Sequence, residues 1–400
     1  MKKILFAVWC VLVAFNASAQ DETENFLKRH WVFPIPSQGK APKSYTELEA
    51  SLNPDSCGSC HPKQYQGWRN SLHAHAMGPG VMGQLLAIKP NAVGELRACT
   101  RCHAPLAEQE YSLRKKLRGT AQENPLHEQG LVCAACHVRR NVRYGPPPTK
   151  PPSGGKLPHD GFVSAPAFGD GRFCATCHQF GEDGYALNDK PLENTYAEWL
   201  TSMYAKQGQQ CQSCHMPQRQ HLWRGIHDAE MTRGGITINP TAPVLRDGKL
   251  SAQLAIINSG TGHDFPTYVT PRVVVQIYQE SADNKPIEGT MQEKIIARQV
   301  SLDLSAELSD TRLAPGEQMT LDYQIQLHQN SNAVVMRVRV EPDYFYTGLY
   351  RSLLDGRPKG KSANLIRSAL RNSLESAYDL YVQRFDVQAG IPDVAQGVLR

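Results

Sequence analysis

The sequence lacks cysteine outside one repeated pattern, apart from Cys10. Cys10 lies in an N-terminal segment that we expect to be removed, so no spare thiol remains for a disulfide or a nucleophile. Long apolar runs are also lacking, because the run from Ile4 to Phe15 is too short to anchor the chain and no later run reaches spanning length. We therefore expect no permanent membrane anchor.

The N-terminus has the organisation of a secretory signal peptide. Lys2 and Lys3 precede the apolar run, and Ala17–Ala19 supply small residues for cleavage before Gln20. We predict that residues 1–19 are removed from an exported protein. Nothing marks the chain for surface export, so a periplasmic location is predicted, with an extracellular one as the alternative.

The pattern C-x-x-C-H recurs five times between Cys57 and His215. It is the attachment motif of c-type haem, in which both cysteines bind the porphyrin as thioethers and the histidine binds the iron. The predicted thioether-forming residues are Cys57 and Cys60, Cys99 and Cys102, Cys133 and Cys136, Cys174 and Cys177, and Cys211 and Cys214. The predicted proximal iron ligands are His61, His103, His137, His178 and His215.

Two other interpretations of these cysteines are zinc sites and disulfides. Neither requires a histidine directly after every second cysteine. With 14 histidines in 400 residues, five such coincidences by chance have a probability on the order of 5 in 10^8. The pattern therefore predicts five covalently attached c-type haems.

The charge of the chain argues against a nucleic-acid partner once haem is counted. The formal charge of +5 falls to +3 when Lys2 and Lys3 are removed. The propionates of five haems then make the holoprotein acidic, so the sequence pI of 8.6 is misleading.

The motifs and the later sequence predict different architectures. Residues 20–234 are predicted to form a pentahaem cytochrome c domain of short helices and irregular loops around a core of haem, because roughly 32 residues per haem are too few to bury a conventional core. Residues 235–345 are predicted to form a β-sandwich, and residues 346–400 a C-terminal helical segment.

The β-sandwich prediction depends on short alternating or β-rich runs separated by turns. They are Leu250–Ile256, Val273–Tyr278, Val300–Leu304, Met319–Leu327 and Val334–Val340. Between Ile366 and Phe385, apolar residues recur every three or four positions, which predicts an amphipathic helix.

Each iron needs a second axial ligand or keeps an open position. His75, favoured over His73, follows the first motif, and His159 follows a proline-rich connector. His221 and His227 follow the fifth motif, and we expect at least one of them to bind iron.

Two further candidates are His263 and His127. His263 lies in the loop Gly260–Thr267, where glycines permit close approach of the backbone to a cofactor. His127 precedes the third motif and is the weaker candidate. The remaining histidines, His30 and His328, are interpreted as incidental, and Met77, Met203 and Met216 as packing rather than as sulfur ligands. Since the histidine candidates suffice for five irons, mainly bis-His, low-spin haems are predicted.

Several stretches resemble the bacterial multihaem cytochromes of the cytochrome c554-like group. They are Ala98–Leu106, Gly130–Arg139, Asn194–Trp199, Cys211–Pro217 and the Gly-His-Asp-Phe-Pro-Thr loop at Gly262–Thr267. The resemblance covers most of residues 50–270 and implies that His263 is a distal ligand. The group includes periplasmic electron carriers and has relatives that act on nitrogen compounds, often at a haem without a distal ligand. No C-x-x-C-K motif of the ammonia-forming nitrite reductases is present.

These observations predict a periplasmic pentahaem cytochrome of anaerobic respiration that passes single electrons between redox proteins. The expected partners are a periplasmic or membrane quinol-linked donor and a terminal acceptor. The alternative is a multihaem oxidoreductase with one open-site haem that acts on a small nitrogen or sulfur compound. Arg139, Arg140 and Arg143 could then attract an anion, although arginines beside haem more often pair with propionates. A homo-oligomer or a filament is a further hypothesis, and a filament is compatible with electron transfer.

Overall fold

The computed structural model describes residues 22–89, 91–120, 123–149, 158–357 and 359–387. The predicted signal peptide, residues 1–19, lies outside the described residues, as do residues 388–400 of the predicted C-terminal segment. Within the described residues, no helix is long and apolar enough to cross a membrane.

Helices are short through most of the chain. They are α1 at residues 22–30, α2 Glu47–Ala50, α3 Pro54–Gly58, α4 Pro62–Arg69, α5 Pro79–Leu85, α6 Val93–His103, α7 Ala107–Leu117, α8 Cys133–His137, α9 Arg172–His178, α10 Thr195–Thr201, α11 Met203–Lys206, α12 Cys211–His215, α13 Ala229–Gly235, α14 Tyr344–Asp355 and α15 Lys361–Glu375. Single 3-10 turns lie at Leu126–Gln129, Pro158–Asp160, Pro166–Gly169 and Pro217–Arg219.

The longer strands all lie after the fifth motif. The strands are β1 Val138–Arg139, β2 Val142–Gly145, β3 Val163–Ser164, β4 Ala186–Leu187, β5 Lys190–Pro191, β6 Thr237–Arg246, β7 Lys249–Ile257, β8 Arg272–Glu280, β9 Gln292–Ile296, β10 Arg298–Val300, β11 Glu307–Asp310, β12 Gln318–Gln326, β13 Ala333–Glu341 and β14 Tyr378–Asp386.

Contacts divide the chain into two units that do not follow the order of the sequence. The first unit contains the residues up to Cys177, Gln210–Trp223 and Gly360–Leu365, and the second contains His178–Gln209, Arg224–Lys359 and the residues from Ile366 onward. The domain limits given above, at residues 234/235 and 345/346, stay predictions.

The first unit has little apolar core in its described residues. α3, α4 and α5 each have a proline in their first turn, where the missing N–H costs no hydrogen bond. Its two apolar clusters, around Ile35 and around Leu85, contain six buried residues each. So small a core agrees with a domain packed around a large prosthetic group.

The second unit contains two antiparallel sheets that share one apolar core. Their strand orders are β12-β7-β6 and β14-β13-β8-β9. Eighteen buried residues form the core, among them Leu250, Leu254 and Ile256, whose side chains are fully buried. Burial of each such side chain stabilises the fold by about 1.5–3 kcal/mol. The sandwich-like arrangement of sheets agrees with the sequence prediction.

The prediction of one helix between Ile366 and Phe385 is wrong for its second half. α15 ends at Glu375, and Tyr378–Asp386 form β14, which pairs antiparallel with β13. Tyr381 and Phe385 pack against the sandwich core from this strand. The run is rich in aromatic and β-branched residues, and pairing with a neighbouring strand satisfies its backbone.

The strand predicted at Val300–Leu304 is also too long. β10 ends at Val300, and a turn follows in which the Ser301 hydroxyl and the Asp303 carboxylate bind local backbone N–H groups. Serine and aspartate favour turns for this reason.

Candidate haem-binding site

Each C-x-x-C-H pattern lies on a helical turn. α8, α9 and α12 end at the motif histidines His137, His178 and His215, and α6 ends at His103. In the first motif the His61 N–H donates to the Cys57 carbonyl at 2.8 Å, which continues the turn of α3. Residues three and four apart lie on one face of a helix, so each turn presents two thiols and one imidazole together.

Hydrogen bonds fix the orientation of two proximal histidines. Nδ1 of His103 donates to the Ala76 carbonyl at 2.5 Å, and Nδ1 of His137 donates to the Tyr144 carbonyl at 2.7 Å. A proton on Nδ1 leaves the lone pair on Nε2, which is the arrangement of metal-bound histidines. Nδ1 of His178 makes the corresponding bond to the Tyr268 hydroxyl at 2.8 Å.

Burial keeps these imidazoles in the form that binds a metal. It lowers the pKa of His61, His103 and His137 below the usual value of histidine. A neutral ring binds iron without first losing a proton. The residues present therefore fit c-type haem.

Thiols from different motifs meet in the first unit. The hydrogen bond with Cys133 lowers the pKa of Cys57 to about 7 and raises the pKa of Cys133. Among the described residues the motif cysteines form no disulfide, and no cluster of three or more His, Cys, Asp or Glu residues could hold a metal ion. The three hydrogen-bonded thiol pairs are Cys57 with Cys133, Cys102 with Cys177, and Cys174 with Cys211.

His159 is placed near the proximal ligand of the first motif. Its Nδ1 donates to the Gly161 carbonyl at 2.7 Å, so it has the same tautomer as the proximal ligands. Burial and then the imidazole of His159 lower the pKa of His61. The chain holds His159 in a left-handed conformation with φ of 45°, and its N–H donates to Glu49 at 2.6 Å.

His221 faces the proximal ligand of the third motif. The ring centroids of His137 and His221 are 6.0 Å apart. Nδ1 of His221 donates to the Arg219 carbonyl at 3.1 Å. Burial and the neighbouring His137 lower the pKa of His221 to about 4. The ring of Trp223 packs edge-on against His221 at 4.9 Å.

His263 lies in a hydrogen-bonded loop of the second unit. Its Nδ1 donates to the Asp264 carbonyl at 2.9 Å, while the side-chain amide of Asn258 donates to the His263 carbonyl at 2.9 Å. A Cβ at Gly260 would overlap the Gly234 carbonyl, so the close approach inferred from the sequence is to neighbouring backbone.

The other candidates have different surroundings. His75 is exposed. Nε2 of His227 lies 3.1 Å from the Asp343 carboxylate, so another group already contacts the nitrogen that most often binds iron. His127 is fully buried, with Nδ1 2.9 Å from the Ser112 hydroxyl. The structure does not bring these three histidines against a motif histidine by any described contact, and their assignment as ligands stays a prediction.

His30, interpreted above as incidental, is buried beside the third motif. Its Nε2 donates to the Cys136 carbonyl at 2.8 Å, and burial lowers its pKa to about 3. Phe26 stacks on the ring at 4.8 Å, with Tyr144 and Phe173 nearby. The aromatic residues around it in the sequence were the signal that could have marked it as internal.

The arginines near the third motif bind the backbone. Arg139 donates to the carbonyl groups of His30 and Val138, both at 2.7 Å, and burial lowers its pKa to about 10. Arg143 donates to the Asn141 carbonyl at 2.8 Å. These contacts give both arginines a structural role.

Comparisons with known proteins agree with this chemistry. Residues 56–138 match the family model described as cytochrome c554 and c-prime. The fold is similar to that of a penta-heme cytochrome c552 from Thermochromatium tepidum, with a TM-score of 0.59 and 18% sequence identity, over 85% of this chain and 99% of that chain. No curated protein matches the sequence of this chain.

Proposed function

We propose that this chain, a multihaem c-type cytochrome of the c554-like group, carries single electrons along five covalently attached haems between redox proteins. The match of residues 56–138 to the family model confirms the resemblance seen in the sequence. The number of five follows from the five C-x-x-C-H motifs, and the penta-heme protein of similar fold supports it.

The observation that carries this proposal is the facing pair His137 and His221. When bound, haem supplies one-electron chemistry at its iron. Two imidazoles on one iron leave no open position for a substrate and change little in geometry between the two oxidation states. We assign His221 as the distal ligand of the third motif on this basis, and His159 as the distal ligand of the first motif from its proximity to His61.

The thiol contacts support an order for the haems. Cys57 meets Cys133, so the first and third attachment sites are neighbours. The fourth site is adjacent to the fifth through Cys174 and Cys211, and to the second through Cys177. Electrostatic interaction of Cys136 with the cysteines of the fourth motif links the third site to the fourth. We propose a path through the first, third, fourth and fifth sites, with the second site as a branch.

The location and partners are part of the same proposal. The sequence supports export by the predicted signal peptide, residues 1–19, and c-type haem is attached outside the bacterial cytoplasm. We therefore place the protein in the periplasm, where a quinol-linked donor would reduce it and a terminal acceptor would oxidise it. In each cycle the protein accepts one electron from the donor and passes one electron to the acceptor. No proton or other atom has to be transferred.

The test combines a haem count with a spin-state measurement on the purified, oxidised protein. A pyridine haemochrome assay should give five haems per chain, and low-temperature EPR should give low-spin signals alone. A high-spin signal equivalent to one haem would refute the pure carrier and favour the open-site oxidoreductase. A haem count other than five would refute the assignment of the motifs.

A further inference from the structure

The proximal histidine of the fourth motif is held by a side chain, unlike two of the others. Nδ1 of His178 is 2.8 Å from the Tyr268 hydroxyl, and the two rings are stacked with centroids 6.2 Å apart. Nδ1 of His103 and Nδ1 of His137 instead donate to backbone carbonyl groups, at 2.5 and 2.7 Å. One proximal ligand thus has a chemically different partner.

Tyr268 occupies a backbone conformation that a bulky residue rarely adopts. Its φ is +69°, in the left-handed region. Such a conformation is costly for a residue other than glycine, and it persists only where the surroundings determine it. The chain therefore keeps an aromatic side chain at a position where glycine or asparagine would be favoured.

A buried ion pair fixes the loop that carries Tyr268. The Glu198 carboxylate accepts hydrogen bonds from the Thr267 hydroxyl at 2.9 Å and from the Asp264 N–H at 3.3 Å. Arg312 pairs with Glu198 at 2.7 Å, and their side chains are only 4% and 5% exposed. The hydroxyl groups of Thr195 and Thr267 are 2.7 Å apart. These contacts fix Thr267, the residue directly before Tyr268, through its hydroxyl group.

We propose that Tyr268 is a positioning residue for His178 and raises the reduction potential of the haem at the fourth motif. The inference rests on the proposed function, because it requires haem at that motif. The hydrogen-bond partner of an iron-bound histidine controls how basic the imidazole is. An amide carbonyl oxygen carries negative charge from peptide resonance. A phenol oxygen shares its lone pair with the ring and is the weaker acceptor.

The direction of the change in reduction potential follows from the electron density that the imidazole donates to iron. An imidazole with a weaker acceptor at Nδ1 releases less electron density to iron, so it stabilises the ferric state less. With haem bound, reduction at this motif would take one electron from the donor protein, and His178 would keep its Nδ1 proton. The fourth-motif haem therefore has a higher potential than a comparable haem whose histidine donates to a carbonyl.

The test is a spectroelectrochemical titration of the full-length holoprotein carrying Tyr268→Phe. This variant keeps the ring and deletes the acceptor, so the midpoint potential of one haem should rise further while the other four stay unchanged. Partners of metal ligands change metal affinity by about 10- to 100-fold. A shift of about tenfold in the ferrous-to-ferric ratio corresponds to about 59 mV for one electron.

Tyr323→Phe is the matched control in the same unit. It removes the hydrogen bond from the Tyr323 hydroxyl to the Thr290 carbonyl, 2.9 Å long, within the sandwich core. It should lower stability and leave every potential unchanged. Potentials that move equally in both variants, or a Tyr268→Phe titration that superimposes on that of the wild type, would overturn the inference. A wild-type haem count other than five would instead refute the proposed function.

Discussion

The imidazole rings of His137 and His221 face one another with their centroids 6.0 Å apart and their planes at 34°. Two histidines that share one metal through bonds of about 2 Å each have ring centroids on the order of 6 Å apart. His137 ends the third motif, whereas His221 follows the fifth. A haem held by both histidines would thus take its ligands from the middle of the haem-binding sequence and from the segment after its end.

Replacing His221 by alanine should convert one low-spin haem to high spin. The variant removes the imidazole that we assign to the iron of the third motif and leaves His137 in place. The expected EPR spectrum contains a high-spin signal equivalent to one haem in a protein that still contains five.

His227→Ala is the matched control for His221→Ala. His227 follows the same motif, but its Nε2 lies 3.1 Å from Asp343. The EPR spectrum of His227→Ala should match that of the wild type. An unchanged spectrum for His221→Ala, or a high-spin signal from His227→Ala in its place, would contradict the assignment.

Replacing His159 by alanine should open the iron of the first motif in the same way. The backbone N–H of residue 159, which donates to Glu49 at 2.6 Å, is retained in the variant. Asp160→Asn is the control, because it alters the next residue, asparagine tolerates the left-handed φ of 57° at this position, and the imidazole of His159 stays in place. A high-spin EPR signal from His159→Ala alone would support the pairing with His61, and low-spin spectra from both variants would exclude it.

The haem-attachment pattern was predictable because its residues are close together in the sequence. One helical turn brings two cysteines and a histidine to one face, so spacing alone defines the chemistry. The distal ligands were predictable only as a set of candidates, because their pairing depends on long-range packing. His159 lies close enough to lower the pKa of His61, and nothing in the local sequence of either residue identifies the other.

The difference between local sequence and long-range packing also explains which parts of the predicted fold were right and which were wrong. Leu250, Ala252, Leu254 and Ile256 alternate with less buried residues, and they lie on β7 with their side chains in the sandwich core. The apolar spacing near Phe385 fits a helix as well as a strand, and pairing with β13 decides between them. Tertiary contacts override local periodicity there.

Removing the first attachment site should lower the haem count by one. In Cys57→Ala/Cys60→Ala no thioether can form at the first motif, whereas the other motifs keep all their thiols. A pyridine haemochrome assay and the intact mass should both show four haems in place of five. Cys10→Ala is the control, because this cysteine lies in the predicted signal peptide, and it should leave five haems. An unchanged count in the double variant would contradict the assignment of the motif.

Arg298→Ala should destabilise the second unit. The guanidinium group is almost fully buried, pairs with Glu307 at 2.8 Å and donates to the carbonyl groups of Pro191 and Lys190. Removal of one partner of a buried ion pair costs about 3–5 kcal/mol. Urea unfolding followed by far-UV circular dichroism measures this loss. Arg246→Ala, at an exposed position, should change stability by less than about 0.5 kcal/mol.

The stability contributed by Glu307 should disappear in acid. Burial raises the pKa of this carboxyl group, but hydrogen bonds from Lys190 and Arg298 outweigh it, and the pKa lies below its usual value of 4.5. A group with a lower pKa in the folded state stabilises the protein above the unfolded pKa, and the contribution is lost as the pH falls through the folded pKa. Each unit of difference is worth about 1.4 kcal/mol.

Glu307→Gln should therefore reduce the urea midpoint at pH 7 and flatten its fall below about pH 4.5, the usual pKa of the group. Glu288→Gln, which alters an exposed carboxylate in the same unit, provides the control and should retain the acid dependence of the wild type. If the Glu307→Gln and wild-type curves fell in parallel between about pH 6 and pH 3, the range that contains the usual pKa of the group, the ionised Glu307 carboxylate would contribute no stability through its ion pair with Arg298. The carbonyl contacts to Pro191 and Lys190 would then account for the whole effect of Arg298.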